Sequence, residues 1–130
     1  MSDHFATPQD IKDRYPGHFD PCPLKHDLRK WDGLKIGWTL LSSSRFVFVN
    51  PPYSDIRSWL IKAREELNKG YIRQIVFLLP VWTDRAWFHD LVLPFDHKIE
   101  FIRGRVKFLG GEHTPTFPSM LITFKEVQER

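Results

Sequence analysis

The chain has 130 residues, 42% of them hydrophobic and 15% aromatic, which is enough for one domain with a buried core. Its 19 Lys and Arg residues outweigh 16 Asp and Glu residues, so the net charge of +3 permits a polyanionic partner without requiring one. The single cysteine, Cys22, excludes an internal disulfide and fits a reducing compartment. The sequence has no apolar run long enough for a membrane span and no cationic apolar leader, so we expect a cytoplasmic protein without a membrane partner.

A short helix is predicted near the start of the chain in the segment TPQDIKDRY, with Thr7 as its N-cap and Pro8 in its first helical position. Ile11 and Tyr15 are four residues apart, so they are expected to share the inward-facing side of this helix. A turn and a brief extended piece follow, and then a proline-stiffened loop in the segment DPCPL. Residues 25–35 are polar and are predicted to be irregular, with a turn at their Asp-Gly pair.

Two buried strands with a helix between them form the centre of the predicted fold. The segments SRFVFVN and IRQIVFLLP are nearly continuous apolar runs, which is typical of strands covered on both faces. The segment SDIRSWLIKAREELNKG between them has the period of an amphipathic helix. Its apolar face comprises Ile56, Trp59, Leu60, Ala63 and Leu67. Short links between the three elements indicate a right-handed crossover unit with parallel strands.

The C-terminal part is predicted to add antiparallel strands. A short helix in residues 83–94 begins at a Thr83 cap and ends before Pro94. The segment KIEFIRGRVKFLG is predicted to form a hairpin that turns at Gly104, and PSMLITFKEV a last strand. The sequence therefore predicts a single α/β domain over residues 1–130, in which helices flank a sheet with an antiparallel C-terminal hairpin.

Three unusual segments, DPCP, NPPY and LLPVWTD, fall at the carboxyl ends of predicted strands, where open α/β sheets bind their ligands. In NPPY, the Asn50 side chain and the Pro51 carbonyl are two acceptors for one amino group, and Pro52 keeps the backbone extended. The ring of Tyr53 can stack on a flat ring, which contributes roughly 1–3 kcal/mol for a base. The tip therefore suits a planar substrate with an exocyclic amine, such as adenine. The alternative is a strand-ending turn in which Asn50 caps a backbone and Tyr53 fills a gap.

NPPY after an apolar strand resembles the catalytic motif of amino-group methyltransferases that use S-adenosylmethionine. An ordered series of segments resembles one branch, the small phage-type DNA N6-adenine methyltransferases: TPQDI, FDPCPL, DGL, FVNPPYSDIRSWLIKAREE, VFLLP, WFH, FIRGRVKF and FPSMLITF. The resemblance implies a minimal Rossmann-like methyltransferase sheet without a separate target-recognition domain. It also implies methyl transfer from S-adenosylmethionine to the N6 amino group of adenine in DNA.

The resemblance assigns catalysis to Asn50, Pro51, Pro52 and Tyr53. The target base would be flipped into a pocket, where Asn50 and the Pro51 carbonyl accept its amino hydrogens and Tyr53 stacks on its ring. These contacts would orient the amine for in-line attack on the sulfonium methyl group, so positioning would supply most of the rate.

The resemblance also implies a cofactor site. The acidic residue of DPCP would meet the ammonium group of the cofactor, the Thr-Pro pair would line its amino-acid end, and the acidic residue of DGL would lie beside its adenine. The predicted residues are Thr7, Pro8, Asp20, Pro21, Cys22 and Asp32. Local alternatives remain open, because Thr7 suits an N-cap, Asp20 suits an Asx turn, and Asp32 before glycine suits a turn.

Arg103, Arg105 and Lys107 alternate with apolar residues, so they are expected to share one face of a strand and to contact DNA phosphates. The alternative is an edge strand protected by its charges. A domain this small covers little DNA, so a homodimer is a further possibility. Trp82, Thr83 and Asp84 follow the second strand and are candidates for a wall of the base pocket, with a capped helix and a packing Trp as the alternative.

The chain departs from larger methyltransferases in having no glycine-rich turn after the first strand and no clear acidic residue for the ribose hydroxyls. The rival hypotheses are therefore a weak or inactive nucleic-acid-binding relative, and a methyltransferase that acts on RNA adenine or protein glutamine. The six histidines show no close paired spacing, so no metal site is predicted. The phage-type resemblance implies a viral origin, which would place the protein in the host cytoplasm.

Overall fold

The computed structural model describes residues 4–107 and 117–126. The helices are α1 (Gln9–Lys12), α2 (Ile56–Asn68) and α3 (Ala86–Leu91). The strands are β1 (Phe46–Val49), β2 (Gln74–Pro80), β3 (Lys98–Phe101) and β4 (Ser119–Lys125). Short 3₁₀ turns occur at Trp38–Leu40 and Tyr53–Asp55.

The four strands form one mixed sheet in the order β1-β2-β4-β3. Strands β1 and β2 are parallel, whereas β4 runs antiparallel to both β2 and β3. A single parallel bridge joins Phe19 to Val47 on the outer side of β1, with both of its N–H···O distances at 2.9 Å. The extended piece at Phe19 therefore runs alongside β1, and the residues that follow it emerge at the same edge of the sheet as the residues that follow β1.

The predicted α/β class, the parallel crossover and the antiparallel C-terminal part are confirmed. The hairpin prediction is wrong in its pairing, because β3 pairs with β4 and residues 102–107 contain no strand. The chain bends at Gly104, whose φ of 76° favours glycine. The bend lets Val106 pack against Ile11 on one face of the sheet. The last residues of the predicted second strand, 108–110, lie outside the described residues.

Apolar side chains cover the sheet on both faces. All five residues of the predicted α2 face are buried, and Trp87 and Phe88 of α3 join the same cluster. On the other face, Ile11 of α1 packs with Phe48, Val76, Leu78, Leu121 and Val106. Burial of each large side chain contributes roughly 1.5–3 kcal/mol. Because both faces of the sheet are covered, β1 and β2 are nearly continuous apolar runs. The polar residues that follow these strands lie at the ends of the sheet.

Two buried residues that the sequence did not reveal connect the loop before β1 to α2. Trp38 is completely buried, and its indole N–H donates to the carbonyl of Gly33 at 2.8 Å. The backbone N–H of Trp38 donates to the carboxylate of Glu66, whose other oxygen lies 2.5 Å from Nζ of Lys69. A carboxylate 2% exposed needs such partners. These bonds hold the loop that contains Gly33 against α2.

Candidate active site

The three predicted strand tips converge at one edge of the sheet. The imidazole Nε2 of His4 lies 2.8 Å from the backbone oxygen of Asn50 and 3.9 Å from Sγ of Cys22, so the NPPY and DPCP segments share a neighbour. The ring of Tyr53 lies 5.7 Å from that of Trp82, which follows β2. The sheet thus brings together side chains from three separate segments at the carboxyl ends of its strands, where open α/β sheets form their ligand sites.

The side chain of Asn50 is held in one orientation. Its Nδ2 donates to the backbone oxygen of Phe5 at 2.7 Å and to Oγ1 of Thr7 at 3.0 Å. A carbonyl oxygen accepts only, so the NH₂ group must face Phe5, and the opposite assignment of the amide is excluded. Within residues 4–107 and 117–126, no donor reaches Oδ1 of Asn50. Both donors of this 6% exposed residue are therefore occupied, and its acceptor remains for a ligand.

Aromatic rings surround Tyr53. Trp82 and Phe117 contact it edge-to-face, with centroid distances of 5.7 and 5.1 Å, and Phe5 lies 5.7 Å away in a tilted arrangement. Trp82 and Phe117 also contact each other at 5.1 Å. Edge-to-face pairs stabilise ring orientation, so the cluster sets the plane of Tyr53. Trp82 also packs against the core, as the alternative of a packing Trp expects, and its role as a pocket wall stays a prediction. Nothing in the local sequence pattern indicated Phe5 or Phe117.

The carboxylate of the DPCP loop has one hydrogen bond to the backbone of the same loop. Oδ1 of Asp20 accepts the backbone N–H of Cys22 at 2.8 Å, so the Asx turn allowed by the sequence is present. Asp20 keeps an exposed surface, but the surrounding protein atoms desolvate its carboxyl group and raise its pKa. Burial, and then the nearby carboxylates of Asp20, Asp32 and Asp55, raise the pKa of the Cys22 thiol, which is therefore neutral near pH 7.

Asp32 lies next to the DPCP loop because its neighbour Gly33 packs directly against that loop. A Cβ atom on Gly33 would lie 2.0 Å from the carbonyl oxygen of Pro21 and 2.9 Å from the ring of Trp59. Only glycine permits this approach, which explains the Asp-Gly pair better than a simple surface turn does. Oδ1 of Asp32 also accepts the N–H of Leu34 at 2.9 Å, so the turn that the Asp-Gly pair suggested is present.

The predicted N-cap role of Thr7 is wrong. Helix α1 begins at Gln9, its N-cap position is Pro8, and no side chain caps it. Because the chain enters α1 through the buried Pro8, the hydroxyl group of Thr7 is directed to Asn50 instead. The cap predicted at Thr83 is also wrong, because α3 begins at Ala86 after an N-cap at Arg85.

The three predicted phosphate-binding residues do not lie on a strand, because the chain is irregular from residue 102 to residue 107. Arg103, Arg105 and Lys107 are exposed and line a groove of about 430 Å³. Its other lining residues are Pro8, Asp10, Ile11, Arg14, Ile102 and Val106. Arg14, which the sequence analysis missed, is held by two bonds of 2.6 and 2.9 Å to Glu100. Pro8 places one end of the groove beside Thr7 and Asn50.

In the part of the chain that the structure describes, no group of three or more His, Cys, Asp or Glu side chains could hold a metal ion. None of the helices in that part is both long and apolar enough to cross a membrane.

The mixed sheet makes the chain an α/β domain, and its oriented amide and aromatic cluster lie at the carboxyl ends of the parallel strands, where open α/β sheets bind ligands. The chain belongs to the DNA N-6-adenine-methyltransferase (Dam) family, whose model matches residues 25–129. The resemblance noted from the sequence is thereby confirmed, and membership supports DNA adenine methyltransferase activity in general. No curated protein and no solved structure matches the chain significantly. Residues 4–24, which contain Thr7 and Asp20, lie outside the matched range.

Proposed function

We propose that this chain transfers a methyl group from S-adenosylmethionine to the N6 amino group of adenine in DNA. The observation that carries this proposal is the Asn50 amide, whose donors are occupied by Phe5 and Thr7 and whose Oδ1 has no donor within the described residues. An amine needs an acceptor at this position, since a second donor would repel its hydrogens. Tyr53 lies three residues further on, and its edge-to-face contacts with Trp82 and Phe117 fix the plane of the ring on which we propose that the base stacks.

In the proposed reaction, Oδ1 of Asn50 and the carbonyl of Pro51 accept the two hydrogens of the adenine amino group. These bonds direct the nitrogen lone pair and stabilise the positive charge that develops on nitrogen during attack. S-adenosylmethionine supplies an electrophilic sulfonium methyl group when it is bound. As the N–C bond forms, the C–S bond breaks and the sulfur keeps the electron pair. The methylated nitrogen then loses a proton to water, so no buried general base is required.

The cofactor residues proposed for this site are Thr7, Pro8, Asp20, Pro21, Cys22 and Asp32. The Asp20 carboxylate is accessible but desolvated, and no salt bridge to it occurs among the described residues. Such a carboxylate suits an ammonium group, which stabilises the charged form. Gly33 packs against the backbone of Pro21, so Asp32 and the DPCP loop are neighbours, and the carboxylates of Asp20 and Asp32 both help to raise the pKa of the Cys22 thiol. This proximity supports one cofactor site for both carboxylates.

The groove around Arg103, Arg105 and Lys107 is the proposed DNA contact, with Arg14 as a further cation. Guanidinium and ammonium groups bind phosphates and fix the position of the duplex without reading its sequence. Because Pro8 lines the groove and adjoins Thr7, a strand held there can deliver a flipped base to Asn50. A homodimer would extend the contact surface beyond what one small domain covers.

The proposed activity is tested with adenine-containing duplex DNA that has mixed sequence and lacks prior methylation. The protein is incubated with this DNA and S-adenosylmethionine bearing a deuterated methyl group, and the digested nucleosides are analysed by mass spectrometry. We expect labelled N6-methyldeoxyadenosine, and none from Asn50→Ala, although that variant should still bind S-adenosylmethionine in calorimetry. Equal labelling by Asn50→Ala would refute the proposed mechanism.

Parallel reactions with RNA and with protein decide between the proposal and its rivals. Label in RNA or protein but not in DNA would favour another methyl acceptor for the same chemistry.

The second candidate function is that of a relative that binds nucleic acid without catalysis. The absence of a glycine-rich turn after the first strand favours this candidate. No heat of S-adenosylmethionine binding at millimolar concentration, together with retained DNA binding, would support that candidate.

A further inference from the structure

The N-terminal segment, defined as residues 4–8, contacts the NPPY motif through side chains and backbone. Nε2 of His4 lies 2.8 Å from the Asn50 backbone oxygen, and the Phe5 carbonyl accepts from Asn50 Nδ2 at 2.7 Å. The hydroxyl oxygen of Thr7, which is 8% exposed, accepts from the same Nδ2 at 3.0 Å. The ring of Phe5 also lies 5.7 Å from the ring of Tyr53. One short segment therefore touches both the amide and the ring of the motif.

We infer that the N-terminal segment is a positioning element of the active site, in which Thr7 sets the orientation of the Asn50 amide. This inference rests on the proposed methyl transfer. Thr7 acts through Asn50 and need not touch the substrate amine itself. This role is separate from the proposed contact of Thr7 with the cofactor, because that contact would affect cofactor affinity and the orientation of Asn50 would affect kcat.

The need for positioning follows from the near symmetry of an amide. The oxygen and nitrogen of the Asn50 side chain have similar size, so rotation by half a turn exchanges an acceptor for a donor at the substrate position. A donor there would face the hydrogens of the adenine amine, and the productive bond would be lost. Thr7 and Phe5 oppose this rotation, because both supply an acceptor on the Nδ2 side. The Phe5 acceptor belongs to the backbone, so Thr7 is the one that substitution can remove.

The test compares Thr7→Val, which keeps the shape but removes the acceptor, with Thr7→Ser, which keeps a hydroxyl group. With saturating S-adenosylmethionine and DNA, we expect Thr7→Val to lower kcat about tenfold, the effect of one lost neutral hydrogen bond. Thr7→Ser should recover most of that loss. Because the cofactor is saturating, a change in the Kd for S-adenosylmethionine does not account for this loss of kcat. Thr39→Val, at an exposed threonine in a 3₁₀ turn, is the matched control.

A second measurement does not depend on activity. Solvent exchange of the Asn50 side-chain amide protons is followed by NMR, with their signals assigned by their loss in Asn50→Ala. Exchange should be slow in the wild type and Thr7→Ser, and faster in Thr7→Val. Thr7→Ala is the second variant if Thr7→Val does not fold, because it removes the same acceptor without an added methyl group.

The inference is overturned if Thr7→Val keeps kcat within about twofold of the wild type, or if only its Kd for S-adenosylmethionine rises. In the second case, Thr7 would line the cofactor without orienting Asn50. Unchanged amide exchange in Thr7→Val would also overturn it. If the wild type methylates no DNA, the proposed function fails separately, and the exchange measurement still decides whether Thr7 orients Asn50.

Discussion

At the residue scale, the site combines an amide that neutral hydrogen bonds orient with a carboxylate whose pKa is raised. Asn50 has its donors occupied, and Asp20 has one backbone bond and a raised pKa. Both groups lower the stability of the free protein, because the Asn50 acceptor and the Asp20 charge lack part of the hydrogen bonding that water would supply. Such costs are typical of binding sites, where the ligand completes the interaction.

Replacement of Asp20 by Asn is expected to weaken cofactor binding about tenfold or more, because a charge-assisted bond contributes roughly 1.5–3 kcal/mol. The same change should stabilise the free protein. Because the folded-state pKa of Asp20 is raised, the wild type loses stability as the pH rises from about 4 through that pKa. The higher stability of Asp20→Asn relative to the wild type should therefore be absent below about pH 4 and present at pH 7.

Calorimetry with S-adenosylmethionine and thermal unfolding at both pH values measure these two effects. Asp96→Asn, at an exposed carboxylate, serves as the control for the change in charge. An Asp20→Asn variant with wild-type affinity for S-adenosylmethionine would remove Asp20 from the proposed cofactor site.

At the element scale, the loops that bear the site are held by long-range packing. Trp38 and Glu66 connect the loop before β1 to α2, and Gly33 packs directly on the DPCP loop. The loop that bears Asp32 is therefore tied to the body of the domain from two sides. This packing explains how a chain without a glycine-rich turn can still place acidic residues close together.

Replacement of Gly33 by Ala tests this packing. The added methyl group would lie 2.0 Å from the Pro21 carbonyl oxygen, a backbone atom that cannot rotate away, so the DPCP loop must shift. We expect the free energy of unfolding to fall by about 1–3 kcal/mol, with weaker binding of S-adenosylmethionine. Gly37→Ala is the matched control, because its nearest neighbour would be Nζ of Lys69 at 3.6 Å. Equal stability of the two variants in urea unfolding would contradict the proposed close contact.

At the scale of the whole molecule, the two faces of the sheet differ in what they carry. One face is covered by α2 and α3. The other is covered by the short helix α1 and by Val106, and the basic groove lies beside them. Its end at Pro8 approaches the sheet edge where Asn50 lies. The groove and Asn50 are thus linked through the N-terminal segment, since Pro8 lines the groove and Thr7 binds Asn50.

Replacement of Arg103, Arg105 and Lys107 by Gln should lower duplex affinity and its dependence on salt. Each phosphate contact contributes about 0.9 to the slope of log K against log salt, so the slope should decrease by up to about 2.7. Fluorescence anisotropy between about 50 and 200 mM salt measures the change. A variant with Lys30, Lys35 and Arg73 replaced by Gln has the same net charge and leaves the groove intact. Equal slopes for the two variants would show that the groove does not hold the phosphates.

The sequence by itself determined the central strand-helix-strand unit and the chemistry of the NPPY tip. The apolar runs of β1 and β2, the period of α2 and the stiff NPPY end are local features, because backbone geometry and side-chain spacing act over a few residues. The same local motifs in order were enough to indicate the family, which the match to residues 25–129 confirmed. The acceptor chemistry of Asn50 follows from its side chain alone.

Only the tertiary structure decided how that chemistry is oriented. Phe5 binds Asn50 from 45 positions earlier in the chain, and Glu66 reaches Trp38 across 28 positions. The place of β4 between β2 and β3, and the bend that directs residues 102–107 into a groove, also depend on distant surfaces. Such contacts depend on which surfaces fit together once the chain is folded, and no local period encodes them. For this reason Thr7, which the sequence suggested as a helix cap, is instead a partner of Asn50.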